Sequence, residues 1–391
     1  MEIGVVGVGR GGTALATALA GDEADRRVDY LAGTVAVDTD AADLAAATSV
    51  AEDDRHLLGA VHTDGAGTGG DVELAAEIAR EQRPELQAAV DGLPVGRVDA
   101  TLVCAALGGG TGAGVAPAVA DLLGQITGTP VYGVGIVPGV AEVGGDGDAA
   151  GSTEPRRDRE TRGDADGDRP LSSNAAGGVR ALSAACDDLV LADLDVWRAN
   201  GEAYAPAWDR LDAAVAGRLG ALCAAGEATD PTPERVLDAS ELTNTLGAGG
   251  VTVVGTAGSG VDNGRREGTV GGLLDRLTGE TGPEVDAGEA VSIATNASRK
   301  AVTHRLSLPC AVDSARRAAV VFHAPPEWLN RRGLERARAL IEEETAVPEI
   351  RWGDRPDPSA EEFRVTVALS GVAESDRLTA LGAGTDPGRL G

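Results

Sequence analysis

The sequence predicts an α/β fold: a mostly parallel sheet with glycine loops at its strand ends, a long central helix, and a second, smaller α+β domain. Three observations predict it. Strand-like and helix-like segments alternate through residues 1–140; one apolar stripe at spacings of three and four runs through residues 202–225; and strand-like runs with one helical stretch follow it.

Taken in order, residues 2–8 read as a strand, 13–20 as a helix, 33–37 as a strand and 72–90 as a helix. A strand over 99–106, a helix over 115–126 and a strand over 130–137 complete the alternation. Sheets of this kind bind ligands at the carboxyl ends of their strands, which is where the glycine loops fall. Residues 141–170 break the pattern, being rich in Gly, Asp, Glu and Arg with almost no large apolar side chain. Such a segment cannot offset its ordering entropy by burial, so a disordered acidic insertion is expected there. Order resumes at Leu171, and residues 188–192 read as a strand. In the central stretch, Tyr204, Trp208, Leu211, Val215, Leu219 and Leu222 form one stripe of a helix, a spine on the order of 30 Å long. Beyond it, residues 250–254, 290–295, 318–323 and 364–369 read as strands and 326–343 as a helix, with a flexible tail over 376–391. The domains expected are therefore 1–200, a central helix over 201–225, and 226–375.

With 391 residues, 42% of them hydrophobic, the chain is long enough for two cores. Its formal net charge of −28, with Lys300 the single lysine, excludes nucleic acid and anionic lipid as main partners, because phosphate binding needs clustered cations. That acidity suits molar salt, where the Debye length shrinks to about 3 Å. Cys104, Cys186, Cys223 and Cys310 are scattered without metal-ligand spacing and read as small buried residues. No run approaches the roughly eighteen apolar residues of a membrane span, and Met1 leads straight into a strand-like run. A cytoplasmic protein without direct membrane insertion is expected.

Three glycine-rich segments carry the chemistry. Gly7-Val8-Gly9-Arg10-Gly11-Gly12 satisfies GxGxxG between a strand and a helix, which by itself suits a dinucleotide as well as any other phosphate ligand. Gly65-Ala66-Gly67-Thr68-Gly69-Gly70-Asp71 is a phosphate loop or a flexible turn. Gly108-Gly109-Gly110-Thr111-Gly112-Ala113-Gly114 follows an apolar strand and opens a helix. Its bare backbone N–H groups can wrap a polyphosphate at a helix N-terminus, and the absence of a following lysine separates it from a P-loop.

This last segment resembles the phosphate-binding signature of tubulins and FtsZ, which has Ser or Thr where Ala113 stands. Residues 131–139, Asp238-Ala239-Ser240-Glu241 and residues 325–331 are similar to the CetZ branch of that superfamily, and the resemblance covers nearly the whole chain outside 141–170. It implies the tubulin/FtsZ fold, with a Rossmann-like GTPase domain that binds GTP or GDP, Mg2+ being carried by the nucleotide rather than by the protein alone. The resemblance places Gly9, Arg10, Gly11 and Gly12 with Gly108, Gly109, Gly110, Thr111, Gly112, Ala113 and Gly114 around the phosphates. Gly67, Thr68, Gly69 and Gly70 match the loop that senses the terminal phosphate. Arg10, where CetZ has glutamine and FtsZ glycine, either adds a cation beside the phosphates or crowds them. Trp208 and Asp212 match the family's base-recognition pair, while Leu194 stands where the family's guanine-contacting asparagine would be.

Asp238 and Glu241 resemble the superfamily's two catalytic acids, with Val236 at the position of the FtsZ asparagine. Base site and acids lie at opposite ends of a helix on the order of 30 Å long, so one chain's acids cannot serve its own nucleotide. A head-to-tail copy can supply them, and a heterologous contact that does not close makes a filament. The resemblance thus implies self-association with assembly-dependent GTP hydrolysis, a role in cell shape, and an unidentified membrane adaptor as a further partner. Two rivals remain: an NAD-dependent oxidoreductase, using GxGxxG with Asp38 on a ribose, and a divergent nucleotide-binding paralogue of weak or absent polymerisation and hydrolysis that acts as a regulatory interaction protein.

Overall fold

The computed structural model of the protein describes residues 1–140, 171–227, 230–261 and 285–383. The insertion expected over 141–170 lies outside the described residues.

Short, continuously apolar runs dictate the sheet. β1 (Ile3–Val8) is buried at every position, as a parallel strand covered on both faces must be. After it come α1 (Gly9–Arg26), β2 (Leu31–Asp38), α2 (Ala41–Ala46), β3 (Arg55–Leu57), α3 (Ala60–Thr63), α4 (Val72–Glu81) and α5 (Arg83–Val90). Then follow β4 (Ala100–Ala106), α6 (Gly110–Ile126), β5 (Val131–Val137), α7 (Leu171–Ala185), β6 (Asp188–Asp193) and the long α8 (Tyr204–Cys223). The second half contains α9 (Ala239–Leu246), β7 (Val251–Gly260), α10 (Ala287–Thr303), β8 (Arg317–Ala324), α11 (Arg331–Thr345), β9 (Ile350–Pro356), β10 (Glu362–Val372) and α12 (Asp376–Leu381).

All ten strands join one sheet in the order β3-β2-β1-β4-β5-β6-β7-β10-β8-β9. β1 to β6 are parallel throughout, whereas β10 runs antiparallel to both β7 and β8. The halves meet narrowly, with β6 and β7 paired at Leu189–Val251 and Val190–Thr252. Ser307 extends that seam, donating to the Leu191 carbonyl at 2.6 Å while accepting from the Val254 N–H at 3.0 Å. Alternation along the strands sends Ile3, Val5, Leu102 and Cys104 into one core with α1, α8 and α9. Val6, Val8, Val103 and Ala105 enter the opposite core with α4, α6, α7, α10 and α11. The result is three layers, and α8 lies along one face of both halves of the sheet.

Several expectations are corrected. Residues 290–295 are not a strand but the start of α10, because Ala290, Ala294, Ala297 and Ala301 form a fully buried stripe at helical spacing. The intervening Val291, Ile293 and Thr295 mimic a strand's alternation. The helix expected over 72–90 is two, since Gln82 leaves helical geometry and Pro84 sits in the first turn of α5. The helix over 326–343 begins instead at Arg331, after a short 3-10 turn. α1 and α6 start at Gly9 and Gly110, so the glycine loops are themselves first helical turns.

The tail is not flexible from residue 376: α12 buries Leu378 and Leu381, while 384–391 lie outside the described residues. Arg377 anchors this helix, its Nε donating to Asp193 Oδ2 at 2.8 Å and its Nη2 to the Pro138 carbonyl. Asp193 is almost fully buried, so Arg377→Ala strands its carboxylate. A loss of about 3–5 kcal/mol is expected in a denaturant titration of the variant in molar salt.

Candidate functional site

The two long helices that leave the carboxyl ends of β1 and β4 both start without a side-chain cap. α1 and α6 have Val8 and Gly109 as N-caps and no capping side chain. α2, α4, α9 and α10 are each capped by an aspartate, Asp40, Asp71, Asp238 and Asp286. α3, α5 and α8 also lack a capping side chain, but only α1 and α6 open from glycine loops at the carboxyl ends of parallel strands, where uncapped N–H groups and the positive ends of both helix dipoles can receive an anion. Glycine permits the approach. Gly9 has a φ of +68°, and a Cβ there would lie 3.2 Å from the Gly112 nitrogen. A Cβ at Gly12 would lie 2.0 Å from the Cys104 carbonyl oxygen, so the first turn of α1 sits directly on β4.

The loop over 65–71 closes the other side. A Cβ at Gly110 would meet Thr68 Oγ1 at 2.3 Å, and the Gly67 N–H donates to the Thr39 carbonyl at 3.0 Å. Thr39 and Thr111 share a hydroxyl hydrogen bond at 2.7 Å. The three glycine loops thus converge around the start of α6. Arg10 is exposed and leans toward α2, its Nε 3.8 Å from Asp43 Oδ1. Ala113 is buried with its methyl toward Gly178 of α7.

Three residues at this centre were missed. Asp38 was considered only for a ribose, yet its Oδ1 accepts from the Thr39 and Asp40 N–H groups at 2.7 and 3.3 Å while its Oδ2 is buried without a partner. Burial pushes its carboxyl up to about 7. Thr39 follows it at the carboxyl end of a parallel strand, a positional signal that would have found both. Asn174 had no signal in the sequence. It stands beside a cleft of about 520 Å³ lined by residues 69–73 with Ser173 and Gly177.

At the start of α8, Trp208 and Asp212 lie one turn apart. Trp208 is half-buried against the core shared with α1, and Asp212 is 8% exposed. Asp212 Oδ1 is buried without a hydrogen-bond partner, and burial together with Asp209 pushes its carboxyl up to about 7. An orphaned buried acceptor costs free energy unless a ligand donates to it. Its neighbour loop is held rigidly. Asp195 accepts from the Tyr204 hydroxyl at 3.0 Å and from the Val140 N–H at 2.7 Å. Leu194 between them is fully buried.

The two acids sit elsewhere. Asp238 is exposed and caps α9, its Oδ1 accepting from the Glu241 N–H at 2.8 Å. Glu241 Oε1 is 3.4 Å from Arg235 Nη2, and its Oε2 is buried without a partner. α8 ends at Cys223, whose carbonyl accepts from the Met1 amine at 2.8 Å. That end of α8 is therefore beside the amino end of β1, opposite the glycine loops at its carboxyl end. A Cβ at Gly226 would lie 3.5 Å from Asp238 Cα, which fixes the acids at that same far end.

Residues 2–146 match the Tubulin/FtsZ family GTPase domain, and residues 201–385 match the C-terminal domain of tubulin-like CetZ. Tubulin-like protein CetZ1 of Haloferax volcanii is 38% identical over 385 residues, spanning 97% of this chain and 91% of that protein. The chain belongs to the CetZ family of tubulin-like proteins. Among solved structures, the GDP-bound monomer of CetZ1 from Haloferax volcanii superimposes with a TM-score of 0.78 at 34% identity, covering 97% of each chain. The GTPγS-bound protofilament of CetZ2 from the same organism gives 0.78 at 30%, covering 97% of this chain and 96% of that one. The fold and family expected from the glycine loops are thereby established.

Within this CetZ chain, the departures from the family pattern acquire definite positions. The methyl of Ala113 packs on α7, so a hydroxyl there would sit against Gly178 as well as near the first turn of α6. Leu194 is core and presents no polar atom beyond its backbone, while Asp212 on α8 keeps an unsatisfied buried acceptor. No group of three or more metal-ligating side chains is found among the described residues. No described helix is long and apolar enough to cross a membrane.

Proposed function

We propose that this CetZ protein binds GTP between the starts of α1 and α6, assembles head-to-tail in the cytoplasm, and hydrolyses GTP with acids donated by the next subunit. The phosphates lie on the open N–H groups of the two helix starts, the base stacks on Trp208, and Asp212 accepts from the N1–H and N2–H of guanine. Mg2+ brought by the nucleotide would neutralise phosphate charge, with no group of three or more ligating side chains among the described residues to hold it alone. Asp238 and Glu241 of the neighbouring subunit orient the attacking water. Its oxygen bonds to the γ-phosphorus as the bond to the β,γ-bridging oxygen breaks, GDP leaves, and the proton passes to a carboxylate.

The observation that carries this reading is the separation of the acids from the loops. Twenty residues of α8 span about 30 Å and six of β1 about 20 Å, so within one subunit the two sets cannot meet. A stacked copy supplies what each subunit lacks, and such contacts propagate into a filament. Membership of a tubulin-like family supports a cytoskeletal role, here assigned to cell shape.

The test is GTP turnover against protein concentration in about 2 M KCl with magnesium, the high-salt regime that the net charge of −28 calls for. A critical concentration is expected, with light scattering rising at the same point. Turnover per subunit independent of concentration would remove catalysis across the contact. The buried Leu194 motivates one other reading: nucleotide binding with neither threshold nor turnover would assign a regulatory paralogue instead.

A further inference from the structure

Asn174 belongs to the first turn of α7 and is 9% exposed. Its Nδ2 donates to the carbonyl oxygen of Gly70 at 2.9 Å and to that of Gly108 at 3.2 Å. Both hydrogens of one amide are thereby spent joining the 65–71 loop to the 108–114 loop. On either side of Gly69 and Gly70 the loop is pinned, the Asp71 N–H donating to the Thr68 carbonyl at 3.1 Å and both residues lying against Gly110, but the two glycines themselves are not packed. Gly69 and Gly70 have φ of +64° and +96°, and a Cβ at either would have nothing within 4 Å, so packing does not wedge the backbone there. Hydrogen bonds must hold it.

The layers define which end of a nucleotide this latch serves. Trp208 and Asp212 stand on α8, on the sheet face shared with α1. α4, which continues the 65–71 loop, and α7 pack on the opposite face against α6. A polyphosphate running from the base across the starts of α1 and α6 therefore ends at the 65–71 loop. We infer that Asn174 is a positioning residue for the terminal phosphate. It latches Gly70 to Gly108, holds Thr68 against Gly110, and so sets the preference for a nucleoside triphosphate over a diphosphate. This rests on the nucleotide reading proposed above.

The test compares GTPγS and GDP affinities, by calorimetric titration in molar KCl, for the full chain and for Asn174→Asp and Asn174→Ser. Asn174→Asp keeps the shape but removes both donors. It is expected to lose about tenfold in GTPγS affinity relative to GDP, the size of a typical coupling between sites, and to melt at a lower temperature because a buried carboxyl group then faces two carbonyl oxygens. Asn174→Ser keeps one hydroxyl donor and is expected to recover part of the loss. Equal losses for both nucleotides would make Asn174 a mere framework residue and overturn the inference, as would an unchanged ratio of affinities. Failure of the unmutated protein to bind either nucleotide would instead strike the proposed function, before any variant is made.

Discussion

Asp238→Asn is expected to bind GTP and form filaments like the parent protein while its turnover falls roughly 10²- to 10³-fold, the usual cost of removing one positioned catalytic group. The choice of asparagine matters. Asp238 Oδ1 caps α9 by accepting the Glu241 N–H, and Asp238→Ala would remove that cap together with the carboxylate. Losing such a cap costs about 1 kcal/mol. It would also loosen the turn that carries Glu241, so that lost activity could not be assigned to chemistry. Asparagine caps helices about as well as aspartate but cannot take a proton or hold the same charge. Mixing Asp238→Asn subunits into unmutated ones should lower turnover in proportion to the variant fraction, with scattering unchanged. Acids acting within their own subunit would give the same line, so the dependence of turnover on protein concentration is what separates the two readings. Full activity in pure Asp238→Asn filaments would remove Asp238 from catalysis.

The second large effect is a pH dependence of nucleotide affinity carried by Asp212. Burial raises its carboxyl to about 7, well above the ordinary carboxylate range. The folded, ligand-free protein therefore holds this proton more tightly than the unfolded chain does. This residue's contribution to ligand-free stability is present at low pH and is lost as pH rises toward 7. Guanine binding has the opposite sign, because only the ionised carboxylate accepts from both N1–H and N2–H. GTP affinity is expected to fall roughly tenfold per pH unit below 7, since a proton must leave before the base binds. Asp212→Asn is expected to flatten that dependence and to lose roughly 10- to 100-fold in affinity at pH 8, the value of a buried hydrogen bond to a charged group. Because Leu194 offers no second side-chain contact, discrimination against ATP should fall in the same variant. A titration flat in the unmutated protein would show that Asp212 does not meet the base.

Much of the site was legible because glycine has a local physical meaning. Gly9, Gly12 and Gly110 stand where any Cβ would collide or where φ is positive, so their spacing records the backbone's close approaches directly. Trp208 and Asp212 stand one helical turn apart, but that spacing suits a core ring and a solvated acid equally well, and only the resemblance to the family singled them out. Asn174 was not legible, because its role is a pair of hydrogen bonds to partners distant in the chain, the carbonyls of Gly70 and Gly108. The dual position of Asp238 was legible in part: Asp238-Ala239-Ser240-Glu241 satisfies a capping pattern as well as a pair of acids.

The sequence by itself determined the alternation of strands and helices in the first half, the three loops and the long spine, because these depend on local periodicity and on residues that tolerate particular backbone conformations. It misjudged α10, where buried alanines supply the true period and half-buried β-branched residues a false one. Tertiary structure alone decided that both halves share one sheet, that α12 is anchored through Arg377 and the buried Asp193, and that Asp212 keeps an unpaired acceptor. Burial and pairing between distant segments depend on which surfaces meet, and no window of sequence contains both partners.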